Sequence, residues 1–426
     1  MISNFFEDNI PKKLHLLFMT PIYTENGIEF EEFSHITPEK IVGESANFTM
    51  GLLEGNKFAL GSYVIPEFSI DVIYENENYK NKICRVWLEI DNGNVVDRYG
   101  IIFGKVSDQL ISAERDKATL KLRSIIADAF ETDISYNSLF ISGTSSTVGL
   151  FYETLLKETY VSTNLFPTSP LQSSYIEFMS DISSLVSEFN QRFGDMANLS
   201  VKALSEDKKV KIVDCWRMLG EFLGSHIRIE QPRVYLGYIA TQLYTSVYDV
   251  KVSLMRIDDT TEILYPDENT YPSNSLYPLM LLSETPSSVA TQSYSVPYFI
   301  NCEYDEFANT KYDAIYFKYG DIEFIKTDTD APYTKYPAYE IVDNLLYNGI
   351  SDTDISNRLE PVLNYLEKRK YIVSSLRLPF YPGFYAGDNI ILETSRSEVF
   401  AVPLLYCNTQ GINSIIANIE AKPKNE

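Results

Sequence analysis

Apolar and polar side chains alternate along the first part of the chain. Phe68, Ile70 and Val72 alternate with Ser69 and Asp71, which is the two-residue period of a half-buried strand. The same period recurs in the stretches that follow, and an Asp-Asn-Gly-Asn turn separates two of them. The four predicted strands cover residues 67–74, 82–90, 99–106 and 118–123. Their succession predicts a meander that is part of a β-barrel or a small sandwich.

A helical period replaces this alternation within residues 122–224. Apolar side chains recur at spacings of three and four over residues 175–193, which predicts an amphipathic helix. We expect this helix to pack on its own domain, and a partner-binding helix is the alternative. A second helix is predicted between Asp214, as its N-cap, and Gly224, which stands where a C-terminal glycine belongs. A strand at residues 226–229 follows it.

Strands return in the last part of the chain. A helical segment is predicted at residues 351–369, interrupted at Pro361 because proline lacks the amide hydrogen that a helix needs. Residues 265–300 are rich in proline, serine, asparagine and tyrosine, which predicts a long surface excursion. The order strand, turn, strand, strand of residues 83–123 recurs in residues 389–421. This shared pattern is compatible with an internal duplication.

The charge balance excludes some classes of partner. The 426 residues include 59 acidic and 36 basic side chains, a formal net charge of −23. Such a chain lacks the lysine and arginine needed to displace counterions from nucleic acid, and it is repelled by an anionic membrane surface. The hydrophobic fraction of 45% is that of a globular protein rather than of a disordered one.

The N-terminus and the apolar runs predict a protein made and folded in the cytoplasm. The first residues carry acidic side chains where a signal peptide needs positive charge. No run approaches 18 apolar residues, so we expect no transmembrane helix and no stable membrane insertion.

Candidate chemistry is sparse. Four cysteines stand far apart without a CxxC motif and are predicted to be free thiols: Cys84, Cys215, Cys302 and Cys407. The three histidines, His15, His35 and His226, have no zinc-site spacing. Asp328-Thr329-Asp330 begins like a calcium loop but lacks its glycine and its glutamate, and is interpreted as a solvated turn.

The nucleotide-binding and hydrolase motifs GxxxxGK, GxGxxG and GxSxG are absent from the sequence. Trp87 and Trp216 are predicted to be packing anchors. We therefore predict no catalytic residue, no cofactor and no metal.

Four short motifs, in order, resemble a known family. They are Ser45–Met50 with Phe58–Ser62, Asp214–Gly224, Tyr339–Leu346, and Leu378–Pro379 with Ala386–Ile390. Together they resemble the motifs of baseplate and tail hub proteins of long-tailed bacteriophages, prophages and related contractile injection particles. The second motif departs from the family pattern, because Trp216 intervenes and Phe222 stands near the usual alanine.

The resemblance implies a fold and a role. The implied fold is α+β and β-rich, with two related β-barrel domains at residues 1–121 and 236–426 and an inserted α/β domain at residues 122–235. The implied role is a non-enzymatic homotrimeric ring at the virion tail tip. Its expected partners are the tail tube or a distal tail protein, a spike protein, the tape-measure protein, and genomic DNA only in transit. Some relatives carry a peptidase or glycan hydrolase after the second barrel; its signature is not seen here.

Two other functions are retained as alternatives. A receptor- or cell-wall-glycan-binding tail-tip protein would use the tyrosine-rich residues 265–300 as its surface. A glycoside hydrolase with paired carboxylates is a remote alternative, because an acidic chain offers many such pairs.

Overall fold

The computed structural model describes most of the chain. The described residues are 12–24, 27–53, 59–91, 96–141, 143–165, 173–231, 250–256, 293–295, 301–310, 312–327, 338–367, 371–379, 386–393, 399–410 and 416–421. The predicted calcium-like turn at residues 328–330 lies outside them, as does the predicted surface excursion except for residues 293–295.

Twenty-two strands and five α-helices form within these residues. The strands of the first half are β1 Lys12–Thr24, β2 Gly27–Ile36, β3 Asn47–Gly51, β4 Val64–Ile73, β5 Ile83–Asp91, β6 Val96–Ile111, β7 Lys117–Ser124, β8 Asp133–Ser135, β9 Ser145–Thr147, β10 Ser200–Lys202 and β11 Lys209–Lys211. Those of the second half are β12 His226–Glu230, β13 Lys251–Met255, β14 Ser293–Ser295, β15 Asn301–Thr310, β16 Ala314–Tyr319, β17 Ile322–Thr327, β18 Tyr339–Val342, β19 Tyr371–Pro379, β20 Asn389–Glu393, β21 Val399–Gln410 and β22 Ile416–Ala421. The helices are α1 Ile126–Phe130, α2 Val148–Val161, α3 Ser173–Phe193, α4 Ile212–Leu223 and α5 Asp352–Glu367.

One large sheet organises the protein. Thirteen strands belong to it, in the order β15-β19-β22-β21-β3-β4-β7-β6-β5-β1-β2, with β20 paired to β21 and β14 paired to β20. The meander predicted from alternation is found in β5, β6 and β7. Strand β4 pairs with β7 and not with β5, because alternation fixes which side chains share a face and does not fix which strands are neighbours. The fold is therefore α+β and β-rich, as predicted.

The first and last parts of the chain meet within this sheet. Strand β3 pairs antiparallel with β21, from Asn47 opposite Gln410 to Gly51 opposite Tyr406. The Phe48 amide also donates to the Thr409 hydroxyl at 3.0 Å. The division into two barrels with an inserted domain stays a prediction, since these contacts establish a shared sheet and not the limits of each domain.

Two hydrophobic cores lie on the two faces of the first strands. On β1, Leu14, Leu16 and Phe18 point into a core shared with β3 to β7 and with Cys407 of β21. Leu17 and Met19 point the opposite way, into a larger core formed with the helices and with β12, β13 and β16. Strand β1 is thus buried on both faces and couples the two cores.

The helices confirm the predicted periods, with two corrections at the level of single residues. Helix α3 covers the predicted amphipathic stretch, and Ile182 and Phe189 are buried on its inner face. Helix α4 ends at Gly224 in the left-handed conformation, as predicted, but it starts at Ile212, so Asp214 is not its N-cap and lies in its first turn. A salt bridge of 3.6 Å joins Asp214 to Arg217 one turn later.

The predicted interruption at Pro361 is wrong, because α5 continues through it. Proline removes one backbone hydrogen bond. Leu359, Val362 and Leu363 around it are buried in the larger core, and this tertiary packing holds the helix together.

None of the described helices is both long enough and apolar enough to cross a bilayer.

Candidate functional site

Three of the four motifs that carry the family resemblance contact one another directly, and the fourth packs on Leu52, whose carbonyl accepts from Ser62 of the first motif. We call their meeting point the motif junction: the end of the first motif around Gly61, helix α4 with Gly224, the segment from Tyr339 to Leu346, and the Gly387-Asp388 pair before β20. Since these segments come from all three predicted parts of the chain, the junction is the candidate functional site.

Two glycines allow the backbone before β4 to touch helix α4. A Cβ atom added at Gly220 would lie 2.5 Å from the Gly61 Cα, and one added at Gly61 would collide with the Arg217 carbonyl oxygen. The Gly61 amide donates to the Ser225 carbonyl at 2.7 Å. Gly61 also has a φ of +66°, a conformation that residues with a side chain rarely adopt. Both glycines are therefore required by the contact between the first two motifs.

The third motif is tied to the first two by a tyrosine and an asparagine. The Leu60 amide donates to the Tyr339 hydroxyl oxygen at 2.7 Å. The buried Asn344 amide group donates to the Met218 carbonyl at 2.8 Å and to the Glu221 carboxylate at 3.1 Å. Residue Asp343 before it has a φ of +54°, which aims the asparagine side chain at helix α4.

Glu221 is a partly buried carboxyl group inside the junction. Burial raises its pKa to about 7, and the hydrogen bond from Asn344 opposes part of this shift. The neutral form is thus favoured where an exposed glutamate would be charged.

Replacing Glu221 with glutamine should stabilise the protein at alkaline pH. The folded-state pKa lies above the ordinary glutamate value of 4.5, so the stability supplied by this group is complete below pH ~4.5 and is lost as pH rises through ~7. Glutamine keeps an acceptor for Asn344 and carries no charge. The stability gained over the wild type should grow between these pH values to about 3 kcal/mol, as measured by denaturant unfolding.

The control is Glu340→Gln, which removes an exposed carboxylate next to Tyr339 in the sequence. Its stability difference from the wild type should stay flat across that pH range. If the stability difference between Glu221→Gln and the wild type is equally independent of pH, the prediction is contradicted.

The fourth motif supplies a buried ion pair. The Asp388 carboxylate accepts from an Arg228 Nη2 atom at 3.1 Å, with 1% and 9% of the two side chains exposed. Arg228 also contacts Glu230 at 2.8 Å through its Nε atom. The sequence interpretation of Gly387-Asp388 as a strand start is confirmed by β20, but it missed Arg228, which lies 160 residues away along the chain.

Gly387 packs tightly beside this pair. Its φ is +86°, and an added Cβ would collide with the Met255 side chain and lie 3.2 Å from Leu52. The last motif is thereby fixed against β13 and against Leu52, which lies between the two parts of the first motif.

Two side chains with nucleophilic atoms near the junction, Cys215 and Ser62, are held in structural roles. Burial raises the pKa of the Cys215 thiol, which disfavours the thiolate. The Ser62 hydroxyl donates to the Leu52 carbonyl at 2.8 Å, so its 3.2 Å contact with His226 Nδ1 leaves His226 as the donor. Because the serine proton is already used, His226 does not act as its base.

The structure also locates the remaining cysteines and Trp216, which were singled out in the sequence. Cys84 and Cys407 are buried free thiols, and Cys302 lies in β15. Trp216 is fully buried and donates to the Thr159 hydroxyl at 2.9 Å. Within the described ranges, no group of three or more histidine, cysteine, aspartate or glutamate side chains could hold a metal ion.

A cleft of about 330 Å³ opens beside the junction. Three lysines and three aspartates line it, together with Val210, Met218 and Leu345: Lys208, Lys209, Lys211, Asp133, Asp214 and Asp343. Their formal charges cancel, so the cleft has no net preference for an anion or a cation.

The comparisons with known proteins concern structure alone. No protein-family model and no curated protein sequence matches the chain. Matching solved structures include a tail protein from Neisseria meningitidis MC58, 9% identical, with 97% of each chain covered and a TM-score of 0.43. Another is a 43 kDa tail protein of prophage MuSo2 from Shewanella oneidensis, 9% identical, with 96% of each chain covered and a TM-score of 0.46. A third is a type VI secretion component from Escherichia coli, 9% identical, covering 91% of this chain and 74% of its own, with a TM-score of 0.39. These neighbours are of the group that the four motifs resemble.

Proposed function

We propose that the protein is the structural hub of a phage tail tip, or of a phage-derived injection particle. The motif junction carries this proposal. Four segments resemble those of tail hub proteins, in the same order along the chain. A close backbone contact and the hydrogen bonds of Asn344 join the first three, and a buried ion pair holds the fourth to β12, which directly follows helix α4. Such a junction fixes the relative orientation of distant parts of one chain, which a protein that connects other proteins requires.

In this proposal two related β-barrel domains, residues 1–121 and 236–426, flank the α/β domain of residues 122–235. Three copies form a closed ring. Three subunits with two similar barrels each present six similar surfaces, so the ring can meet a sixfold tail tube on one side and a threefold spike on the other. The partners are therefore the tube or distal tail protein, the spike and the tape-measure protein.

The charge of the chain suits a channel for DNA. With a net charge of −23, an acidic inner wall would repel the phosphate backbone and keep DNA from binding during its passage. The same charge opposes the approach of one subunit to another. Assembly is consequently expected to depend on salt and on partners.

Trimer formation should strengthen with salt. Screening shortens the Debye length to about 8 Å near physiological ionic strength, which weakens the repulsion between acidic subunits. Light scattering of the purified protein should give a mass near 48.7 kDa at low salt and move towards three times that value as salt or a tube or spike protein is added.

A reconstruction of the assembled tail end would then locate the protein. Three copies around an acidic channel are expected. Six copies per ring, or a basic channel wall, would contradict the hub and favour a tube or peripheral component. Cell-wall glycan capture by a protein that stays monomeric would instead support the receptor-binding alternative.

A further inference from the structure

Two of the three histidines contact each other, although 20 residues separate them in the sequence. His15 Nδ1 of β1 lies 3.3 Å from His35 Nε2 of β2. The indole of Trp87, which is directly opposite His15 on β5, stacks on both rings. The centroids of His15 and Trp87 are 5.1 Å apart with the planes 7° from parallel, and those of His35 and Trp87 are 5.5 Å apart.

A single hydrogen atom lies between the two imidazole nitrogens, so one ring donates it and the other accepts it. Whichever ring donates, the other must present a lone pair, so at most one of the two rings carries a positive charge in this arrangement. The outer nitrogen of His15, Nε2, is buried and has no hydrogen-bond partner among the described residues. It lies 4.0 Å from a carboxylate oxygen of Glu89.

Glu89 already has a partner on the neighbouring strand. The Arg98 Nε atom donates to the same Glu89 oxygen, Oε2, at 3.1 Å, and the two residues are directly opposite each other on β5 and β6. The carboxylate is therefore held between a permanent cation and an imidazole nitrogen that can gain a proton.

The surroundings favour neutral rings at neutral pH. Burial lowers the pKa of His15, opposed by Glu89, and burial lowers the pKa of His35, opposed by Glu32. The charged groups that face the pair are Lys13 on β1, Glu32 on β2, Glu39 after β2, Glu89 on β5 and Arg98 on β6.

We propose that His15, His35 and Glu89 form a single acid-responsive proton site on the sheet. On mild acidification one proton enters at His15, which then donates to Glu89 through Nε2 and to His35 through Nδ1. Glu89 becomes shared between Arg98 and His15, so four neighbouring strands are linked by one charged network. A second proton would place two imidazolium ions side by side, which loosens β2 from β1 at lower pH.

Histidine NMR of the full chain tests this proposal directly. Only three imidazole signals are present, and the variants His15→Gln, His35→Gln and His226→Gln assign them. The signals of His15 and His35 should shift together in one first step with its midpoint below 6.5, followed by a separate step at lower pH. In His35→Gln the His15 signal should change to a single step.

Two charge variants should move the midpoint of the first titration step in opposite directions. Glu89→Gln removes the acceptor and should lower the midpoint of the first step by about one pH unit, whereas Arg98→Gln frees Glu89 and should raise it. Neither side chain belongs to the motif junction, so the outcome is independent of the proposed hub function. Independent titration of His15 and His35, with midpoints unchanged in both charge variants, would overturn the proposal.

Discussion

Replacing Gly220 with alanine is expected to prevent correct folding. An alanine normally stabilises a helix interior by about 1 kcal/mol relative to glycine. Here the added methyl group would stand 2.5 Å from the Gly61 Cα, and backbone at that position cannot move aside without separating β4 from helix α4. We expect a loss of about 3 kcal/mol or more, seen as a low soluble yield and a lowered thermal midpoint.

Gly149→Ala is the matched control for this substitution. Gly149 also lies in a helix, α2, and its added Cβ would meet the amide oxygen of Asn190 at 2.8 Å. Asn190 is exposed and can rotate away. This variant should keep the wild-type yield and remain within about 1 kcal/mol of the wild-type stability. Equal behaviour of the two variants would show that the close contact at Gly220 is unimportant.

Removing the charge of Asp388 should also destabilise the protein strongly. Asp388→Asn leaves Arg228 buried with Glu230 as its remaining carboxylate, and breaking a buried ion pair on one side costs about 3–5 kcal/mol. The last motif should detach first, so protease cleavage after β18 is expected to accelerate along with the loss of thermal stability.

Burial, rather than distance, should decide the size of this effect. Lys105 and Asp128 are closer, at 2.7 Å, but 41% and 63% of their side chains are exposed. Asp128→Asn is therefore expected to change stability little. A double variant, Arg228→Met with Asp388→Leu, should be less destabilised than the sum of the single changes predicts. Strict additivity would mean that the two side chains do not interact.

Local patterns identified the elements of this fold but not their partners. Alternation around Phe68 and helical spacing up to Phe193 predicted strands and helices correctly, because each depends on neighbours within a few residues. The pairing of β3 with β21 has no local signal. It depends on the apolar face of β3 finding a strand from the other end of the chain.

For the candidate site, too, the sequence identified the residues but not their partners. Gly61, Gly220 and Asp388 all stood in motifs recognised from the sequence, yet their mutual contacts and the role of Arg228 could not be foreseen. The two histidines of the proton site were noted as distant, and only the register of β1 and β2 brings His15 to His35. Spacing along the chain carries no information about such cross-strand neighbours.

The pairing of β3 with β21 cannot form until β21 has been synthesised. The Thr409 hydroxyl that binds the Phe48 amide is added to the chain 361 residues after Phe48. At the usual ribosomal rate of roughly 5–20 residues per second, that interval lasts about 20 to 70 seconds. Throughout it, the nascent chain exposes one unpaired edge of β3 that can bind any other extended segment. A cell under translational stress, in which ribosomes pause before β21 is made, should therefore accumulate this protein as aggregates in proportion to the length of the pause.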